Sequence, residues 1–142
     1  MRNPLVQALR GRQPIRPQDL LRSGLGALIG IPATGLLAHL VASGQPSALP
    51  LLVPPIGASA VLAFAVPASP LAQPRAVIGG NMVSALAGVT CALAFHPHPA
   101  LAAAAAVACA IIAMGLLGCL HPPGGAVALG AALVAGPVGP AS

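Results

Sequence analysis

The sequence predicts an all-α fold, a polytopic transmembrane helical bundle, from three observations. The first is composition. The 142 residues are 57% hydrophobic and 5% charged, with a mean hydropathy of +0.94. A soluble domain carries about 25% charged residues, so a water-exposed enzyme or binding module is excluded. Disorder is excluded by the apolar content. Collagen is excluded because the 17 glycines do not fall at every third position. The second is charge placement. Arg2, Arg10, Arg12, Arg16, Asp19 and Arg22 crowd the N-terminus, Arg75 stands alone, and residues 23–74 and 76–142 carry no formal charge. The third is segmentation. The uncharged chain divides at Pro-, Gly- and Ser-rich breaks into apolar runs near the roughly 20 residues that a span requires.

Residues 1–22 form a basic arm, in which Pro4, Pro14 and Pro17 interrupt any long helix. The arm resembles the start of a signal peptide. Its length, the apolar run of about 19 residues after it and the further spans that follow favour a first membrane helix instead. That span covers residues 24–42, with Pro32 inside, which membrane helices tolerate when neighbours satisfy the freed carbonyl. Residues 43–47 (SGQPS) are a turn, and a second span over 48–66 is interrupted early by Pro54-Pro55. A loop over 67–75 leads to a third span, 77–95. The tight turn His96-Pro97-His98-Pro99 precedes a fourth, 100–120. A break at His121-Pro122-Pro123-Gly124-Gly125 leaves a short apolar piece, 126–136. The expected organisation is therefore the arm, 1–22, and a membrane domain, 23–142, of about four spans plus a short C-terminal segment.

Positive residues stay in the cytoplasm. The arm then lies inside, and two crossings later Arg75 is inside as well, so four spans put all six arginines on one side. The pI of about 11.3 does not indicate nucleic acid. Five of the six basic residues sit on the arm and aromatics are 1%, whereas a nucleic-acid site needs a basic face with stacking residues.

The sequence echoes itself. Pro54-Pro55-Ile56-Gly57-Ala58 recurs as Pro122-Pro123-Gly124-Gly125-Ala126, both P-P-x-G-A. In this topology the first copy runs inward and the second outward, as in an inverted repeat whose broken helices frame a site. Proline suits a first helical turn, and glycine admits a close neighbour. A helix starting inside the membrane aims free N–H groups and partial positive charge at what lies ahead, an anion site. In a chain this rich in proline and glycine, simple kinks would produce the same echo.

The stretch Leu120-His121-Pro122-Pro123-Gly124-Gly125-Ala126 carries the His-Pro-Pro signature of the HPP family of integral membrane proteins. Pro54-Pro55-Ile56-Gly57-Ala58-Ser59-Ala60-Val61-Leu62 resembles that family too. So do Ser69-Pro70-Leu71-Ala72-Gln73-Pro74-Arg75 and Val77-Ile78-Gly79-Gly80-Asn81 with Ser84-Ala85-Leu86. The resemblance covers about residues 22–130 and implies a helical membrane domain. It also implies nitrite transport, the activity described for plastid and cyanobacterial relatives, while most bacterial members have no assigned substrate. Members usually continue past this block into another long apolar helix. Here only 126–136 follow, and eleven helical residues reach about 17 Å of a core of roughly 30 Å. The last segment is then either truncated or re-entrant, and oligomerisation is favoured.

His121 is the leading site residue, since ionisable groups inside a membrane mark pathways or relays and imidazole serves proton coupling. Capping the fourth helix is its alternative role. Asn81, the one amide of the third span, either donates to an anion or bonds a neighbouring helix. Arg75 either gathers anions or anchors the topology by snorkelling. Pro55, Gly57, Gly124 and Gly125 shape the two helix tips, and Ser59 and Thr34 are minor candidates. Gly80, Ser84 and Gly88 form a small-xxx-small stripe, as do Gly26 and Gly30, which allows close helix approach. His96 and His98, even with His39, lack an acidic partner and make a weak metal site. Cys91, Cys109 and Cys119 show no C-x-x-C spacing and are expected as free thiols. Asp19 is the only carboxylate side chain, so paired-carboxylate and Ser-His-Asp chemistry are excluded, and no Walker-type loop offers ATP drive.

The expected protein is a multi-pass component of a bacterial inner membrane, N-terminus cytoplasmic, with no enzymatic activity, metal or cofactor. Its expected partners are the lipid bilayer, a small inorganic monovalent anion such as nitrite and a second copy of itself. The rival expectation is a non-transporting scaffold or sensor subunit.

Overall fold

The structure, a computed structural model, describes residues 16–41 and 49–135. The arm up to residue 15, the expected 43–47 turn and the chain after residue 135 lie outside the described residues. Among the described residues there is no strand. Within the described residues five α-helices follow one another: α1, Pro17–Val41; α2, Leu49–Ala65; α3, Pro74–Ala94; α4, Pro99–Leu116; and α5, Pro123–Ala135. A single 3-10 turn, Pro70–Ala72, stands between α2 and α3.

Among the described residues three helices are long and apolar enough to cross a membrane: Pro17–Leu37 within α1, then α3 and α4. α2 has 17 residues and α5 has 13. At 1.5 Å per residue these reach about 25 and 20 Å.

Prolines start four of the five helices, which accounts for several boundaries. Pro17, Pro74, Pro99 and Pro123 each stand at a first helical position, where the absent N–H has no intrahelical partner to lose. Pro17 therefore begins α1 instead of interrupting a helix, and α1 starts seven residues earlier than the expected span at 24, taking in Asp19 and Arg22. Pro54 and Pro55 do the opposite of what the echo suggests. α2 begins at Leu49 and runs through them, so the carbonyls of Pro50 and Leu51 lack i+4 donors. The two P-P-x-G-A copies thus serve different purposes: the first lies inside a helix, the second opens one.

α4 stops at Leu116, four residues before the expected end at 120. Gly118 has φ +63°, the left-handed region that glycine enters without a Cβ penalty. Cys119 N–H donates to Met114 O at 3.0 Å and Gly118 N–H to Gly115 O at 3.2 Å, the paired bonds of a Schellman C-cap. From α3, Arg75 Nη2 donates to Leu117 O at 2.9 Å, placing a cation at the negative end of the α4 dipole.

α3, α4 and α5 pack mutually, α1 packs on α2, and α2 leans on α5. The bundle is inside-out relative to a soluble core. Apart from Met114, its main buried rows are small: Ala76, Gly80, Ser84, Gly88 and Ala92 on α3; Ala102, Ala106, Ala110 and Met114 on α4; Gly124, Ala128 and Ala132 on α5, with Cys91, Ala103, Pro123 and Gly130 buried beside them. These rows step by four residues, so i±4 rows meet i±4 rows. Large side chains point outward, among them Leu86 at 67% exposure, Ile112 at 62% and Leu116 at 84%. Contiguous apolar surface on this scale marks a membrane-embedded face. Small interfacial residues are how helices approach closely where hydrophobic burial offers little drive. The protein is therefore a multi-pass helical membrane protein.

The contact between α3 and α5 is close. A Cβ on Gly88 would lie 2.5 Å from Ala128 O and 2.6 Å from Ala131 Cβ. A Cβ on Gly80 would lie 2.6 Å from His121 Cβ and 2.8 Å from Cys119 O. On the other pair, the Phe64 ring fills the groove left by Gly26 and Gly30.

Candidate functional site

One end of the bundle collects the arginines that lie among the described residues. Ser23 Oγ, near the start of α1, lies 2.6 Å from Phe64 O near the end of α2 and 2.7 Å from Asp19 O. The 3-10 turn carries the chain from α2 to α3 and touches both. Arg75 joins the start of α3 to the end of α4. Arg16, Arg22 and Arg75 consequently share an end with the C-termini of α2 and α4 and the N-terminus of α5. Arg2, Arg10 and Arg12, the other arginines of the one-sided count, lie outside the described residues.

His121 sits just inside that end and is 0% exposed. Its carbonyl accepts from Gly124 N–H at 2.8 Å, opening α5. Its Nδ1 lies 2.9 Å from Leu71 O in the 3-10 turn, and its Nε2 lies 2.9 Å from Ser59 Oγ on α2. A carbonyl oxygen only accepts, so Nδ1 carries a proton and donates to Leu71. In the neutral ring Nε2 is then an acceptor and Ser59 O–H donates to it. One imidazole thereby ties α2, the turn and α5 together. Ser59 belongs to the first proline-glycine stretch and His121 to the second, so the two copies meet through this bond and not through facing helix tips.

Beside Ser59 opens a cavity of about 290 Å³ between the α1–α2 pair and the α3–α5 core. Its polar lining is Thr34 from α1, Ser59 from α2 and Asn81 from α3; Pro55, Ile56 and Phe64 supply much of the apolar wall. Counting turns from the arginine-bearing end, Ser59 and Asn81 lie about 8–10 Å deep. Asn81 Oδ1 is buried without a hydrogen-bond partner, a state that costs about 1–3 kcal/mol. Thr34 Oγ1 donates to Gly30 O at 2.7 Å, which commits its proton to its own helix and leaves its lone pairs free.

The sequence-derived candidates divide across this geometry. Pro55 and Asn81 line the cavity. His121 stands behind Ser59, outside the wall. Arg75 is occupied at the α4 C-terminus. Gly57 faces open space, with nothing within 4 Å of a Cβ built there. Gly124 and Gly125 are not in the wall either. A Cβ on Gly124 would lie 2.6 Å from Ser84 Oγ and 3.1 Å from Met114 Sδ, and the N–H groups of Gly124 and Gly125 donate to His121 O at 2.8 Å and Pro122 O at 3.1 Å, so the first turn of α5 is taken up by contacts within the protein. The physical reason is the i±4 packing, which draws α5 against α3 at its first turn. Ser59, Thr34 and Phe64 matter more than their sequence context suggests, because only the fold brings three helices around one gap. Gly118 had a legible signal, a glycine just after an apolar run.

Polar groups lining a cavity between the helices of an apolar bundle define a class: helical membrane proteins with polar residues between their helices. The chain belongs to the HPP family, whose transmembrane-region model matches residues 12–139. It is 38% identical over 123 residues to a transmembrane protein of Dictyostelium discoideum, a match covering 83% of this chain and 39% of the relative. A second transmembrane protein of that organism is 45% identical over 82 residues, covering 56% of this chain and 29% of the relative. The chain thus spans less than two-fifths of the length of either relative. No solved structure matches it.

Proposed function

We propose that the chain passes a small monovalent anion across the membrane through the cavity between α1–α2 and α3–α5, with nitrite as the ion to test first. The observation that carries this reading is Asn81. A polar amide is costly in a bundle built from alanine and glycine; Asn81 lines the cavity, and because its Oδ1 has no hydrogen-bond partner, no neighbour fixes the amide and its N–H groups can turn to a ligand. In the proposed site the Asn81 amide N–H groups donate to the anion, Ser59 adds a hydroxyl, and Pro55 with Ile56 shapes the wall. His121 acts from behind Ser59. Gly124 and Gly125 contribute indirectly, by letting α5 approach α3 and so placing His121. Arg75 and Arg22 make one mouth attractive to anions, and that mouth faces the cytoplasm of a bacterial inner membrane. Nitrite, against other small anions, is favoured by the resemblance of the sequence blocks to relatives described as its transporters.

The test is flux. Purified protein in liposomes, given a nitrite gradient, is expected to release nitrite above the rate of empty liposomes, and Asn81→Ala is expected to cut that rate at least tenfold. Release no faster than from empty liposomes, by protein whose helical circular dichroism is intact, would overturn transport in favour of the membrane scaffold or sensor.

A further inference from the structure

The bond between Ser59 and His121 gives the cavity a property that its lining alone does not have. With Nδ1–H fixed on Leu71 O, the neutral imidazole has a single acceptor left, and the Ser59 proton occupies it. Ser59 then presents only lone pairs to the cavity, which repel an anion. When His121 takes a proton, Nε2–H becomes the donor and Ser59 Oγ the acceptor. The serine proton is released from the ring and can turn into the cavity. Protonating His121 therefore converts a cavity acceptor into a cavity donor without moving a heavy atom.

The surroundings require a counter-charge. The elements packed against His121 bring no carboxylate: α2, the 3-10 turn and α5 carry no ionisable side chain. α3 brings Arg75, whose guanidinium is on Leu117 O, and the preceding segment brings buried Cys119. The one acidic side chain of the chain, Asp19, is on the first turn of α1, and His39 is on its last. No protein group on the elements packed against His121 therefore faces the imidazole as a counter-charge partner. An anion in the cavity, one hydroxyl away, supplies that partner. The anion stabilises the proton, and by linkage the proton stabilises the anion to the same degree.

Resting on the anion reading above, we propose that the cavity binds its anion together with one proton, taken up on His121 and transmitted to the anion by Ser59 as the positioning residue. The ligand class is accordingly an anion plus a proton, overall neutral, which also lowers the cost of passage through lipid.

The experiment uses the full chain in nanodiscs, with nitrite titrated calorimetrically at about pH 5.5 and 8, a range over which histidine changes charge. Two buffers of different ionisation enthalpy count the protons. Expected are uptake of close to one proton per nitrite at the higher pH and affinity that rises as pH falls, by at most about tenfold per unit. Ser59→Ala is expected to abolish uptake and weaken binding at least tenfold, whereas Ser59→Thr keeps both. Nitrogen-15 spectra of the imidazoles, with His121→Gln identifying the signal, are expected to show the neutral Nδ1–H form alone and the imidazolium with nitrite. This readout does not depend on Ser59 serving stability. Binding with no proton uptake and equal affinity at both pH values would overturn the coupling and leave the anion site standing. Uptake that survives Ser59→Ala would overturn the relay. Absence of binding at either pH, by folded protein, would overturn the anion site and the coupling with it.

Discussion

Gly88→Ala tests the packing on which the site depends. The added methyl would stand 2.5 Å from Ala128 O, 2.6 Å from Ala131 Cβ and 3.1 Å from Ala132 N. Carbon contacts are comfortable at about 3.5–4.0 Å, so relief requires α3 and α5 to part by about 1 Å. Two of the three obstructing atoms are backbone and cannot rotate away. A gap of that size forfeits a quarter to a half of each dispersion contact along the interface, and overpacking of this kind costs typically about 1–3 kcal/mol. Alanine returns up to about 1 kcal/mol of helix propensity, leaving an expected net loss of about 1–2 kcal/mol. Gly115→Ala on α4 is the control. Nothing lies within 4 Å of its Cβ, so the propensity gain stands alone, a stabilisation of up to about 1 kcal/mol. Reversible unfolding in mixed detergent and dodecyl sulfate micelles, followed by helical circular dichroism, measures both. Gly88→Ala as stable as the unmodified chain, or Gly115→Ala as damaging as Gly88→Ala, would refute the close α3–α5 contact.

Gly118→Ala is expected to destabilise by about 1–2 kcal/mol, the price of a left-handed residue with a Cβ; its only near neighbour is Arg75 Nη2 at 3.6 Å, so Gly118→Asn, which tolerates that conformation, should lose less in the same unfolding measurement. Gly124→Ala should be destabilising and partly rescued by Ser84→Ala, because the new methyl meets Ser84 Oγ first; a double-mutant cycle is expected to show coupling of about 1 kcal/mol, and strict additivity would exclude the contact. Asn81→Val should leave stability unchanged or raise it by up to about 2 kcal/mol, since it removes an unpartnered buried oxygen, while nitrite flux falls. A loss of both together would make Asn81 a structural residue.

Much of the bundle was legible because membrane insertion is governed by composition over long windows. The charge-free runs, the grouping of Arg16, Arg22 and Arg75 at one end and the breaks near residues 67–75 and 96–99 all follow from that. Helix ends were less so, because proline has two opposite local effects. Pro17 lies ahead of any turn it could disrupt and so begins α1, whereas Pro54 lies inside α2, and proline by itself does not say which of the two it will do. The α3 stripe was visible as Gly80, Ser84 and Gly88, but Ala76 and Ala92 extend it, and the matching rows on α4 and α5 vanish among so many alanines. The site was legible only in part. Asn81 and His121 stand out as polar residues in apolar segments. That His121 speaks to the cavity through Ser59 depends on a contact between residues 62 apart in sequence, which no local pattern announces.

The location of the cavity follows from the same packing that closes the rest of the bundle. On α3 the buried row Ala76, Gly80, Ser84, Gly88 faces the core, and the next row round, Val77 and Asn81, is turned by about 100°. Val127 precedes Ala128 on α5 and is turned from it by about 100° in the opposite sense. Small residues bring α3 and α5 together until their backbones touch, which pushes these second rows to one side of the seam. α2 would have to cover them, but it is held on α5 and α1 and reaches α3 chiefly through the 3-10 turn. The Phe64 ring, seated in the Gly26–Gly30 groove, fixes α1 to α2 and keeps the pair from collapsing inward. A gap is thus the geometric consequence of a tight core beside a pair braced against itself, and the polar groups of α1, α2 and α3 that end in it are those the tight seam leaves outside. Replacing Phe64 with leucine would loosen the brace without touching a polar group. The expected result is a change in nitrite flux while the His121–Ser59 tautomer, read by nitrogen-15 shifts, stays as it is. A changed tautomer would show instead that the α1–α2 pair and the histidine relay are one mechanical unit.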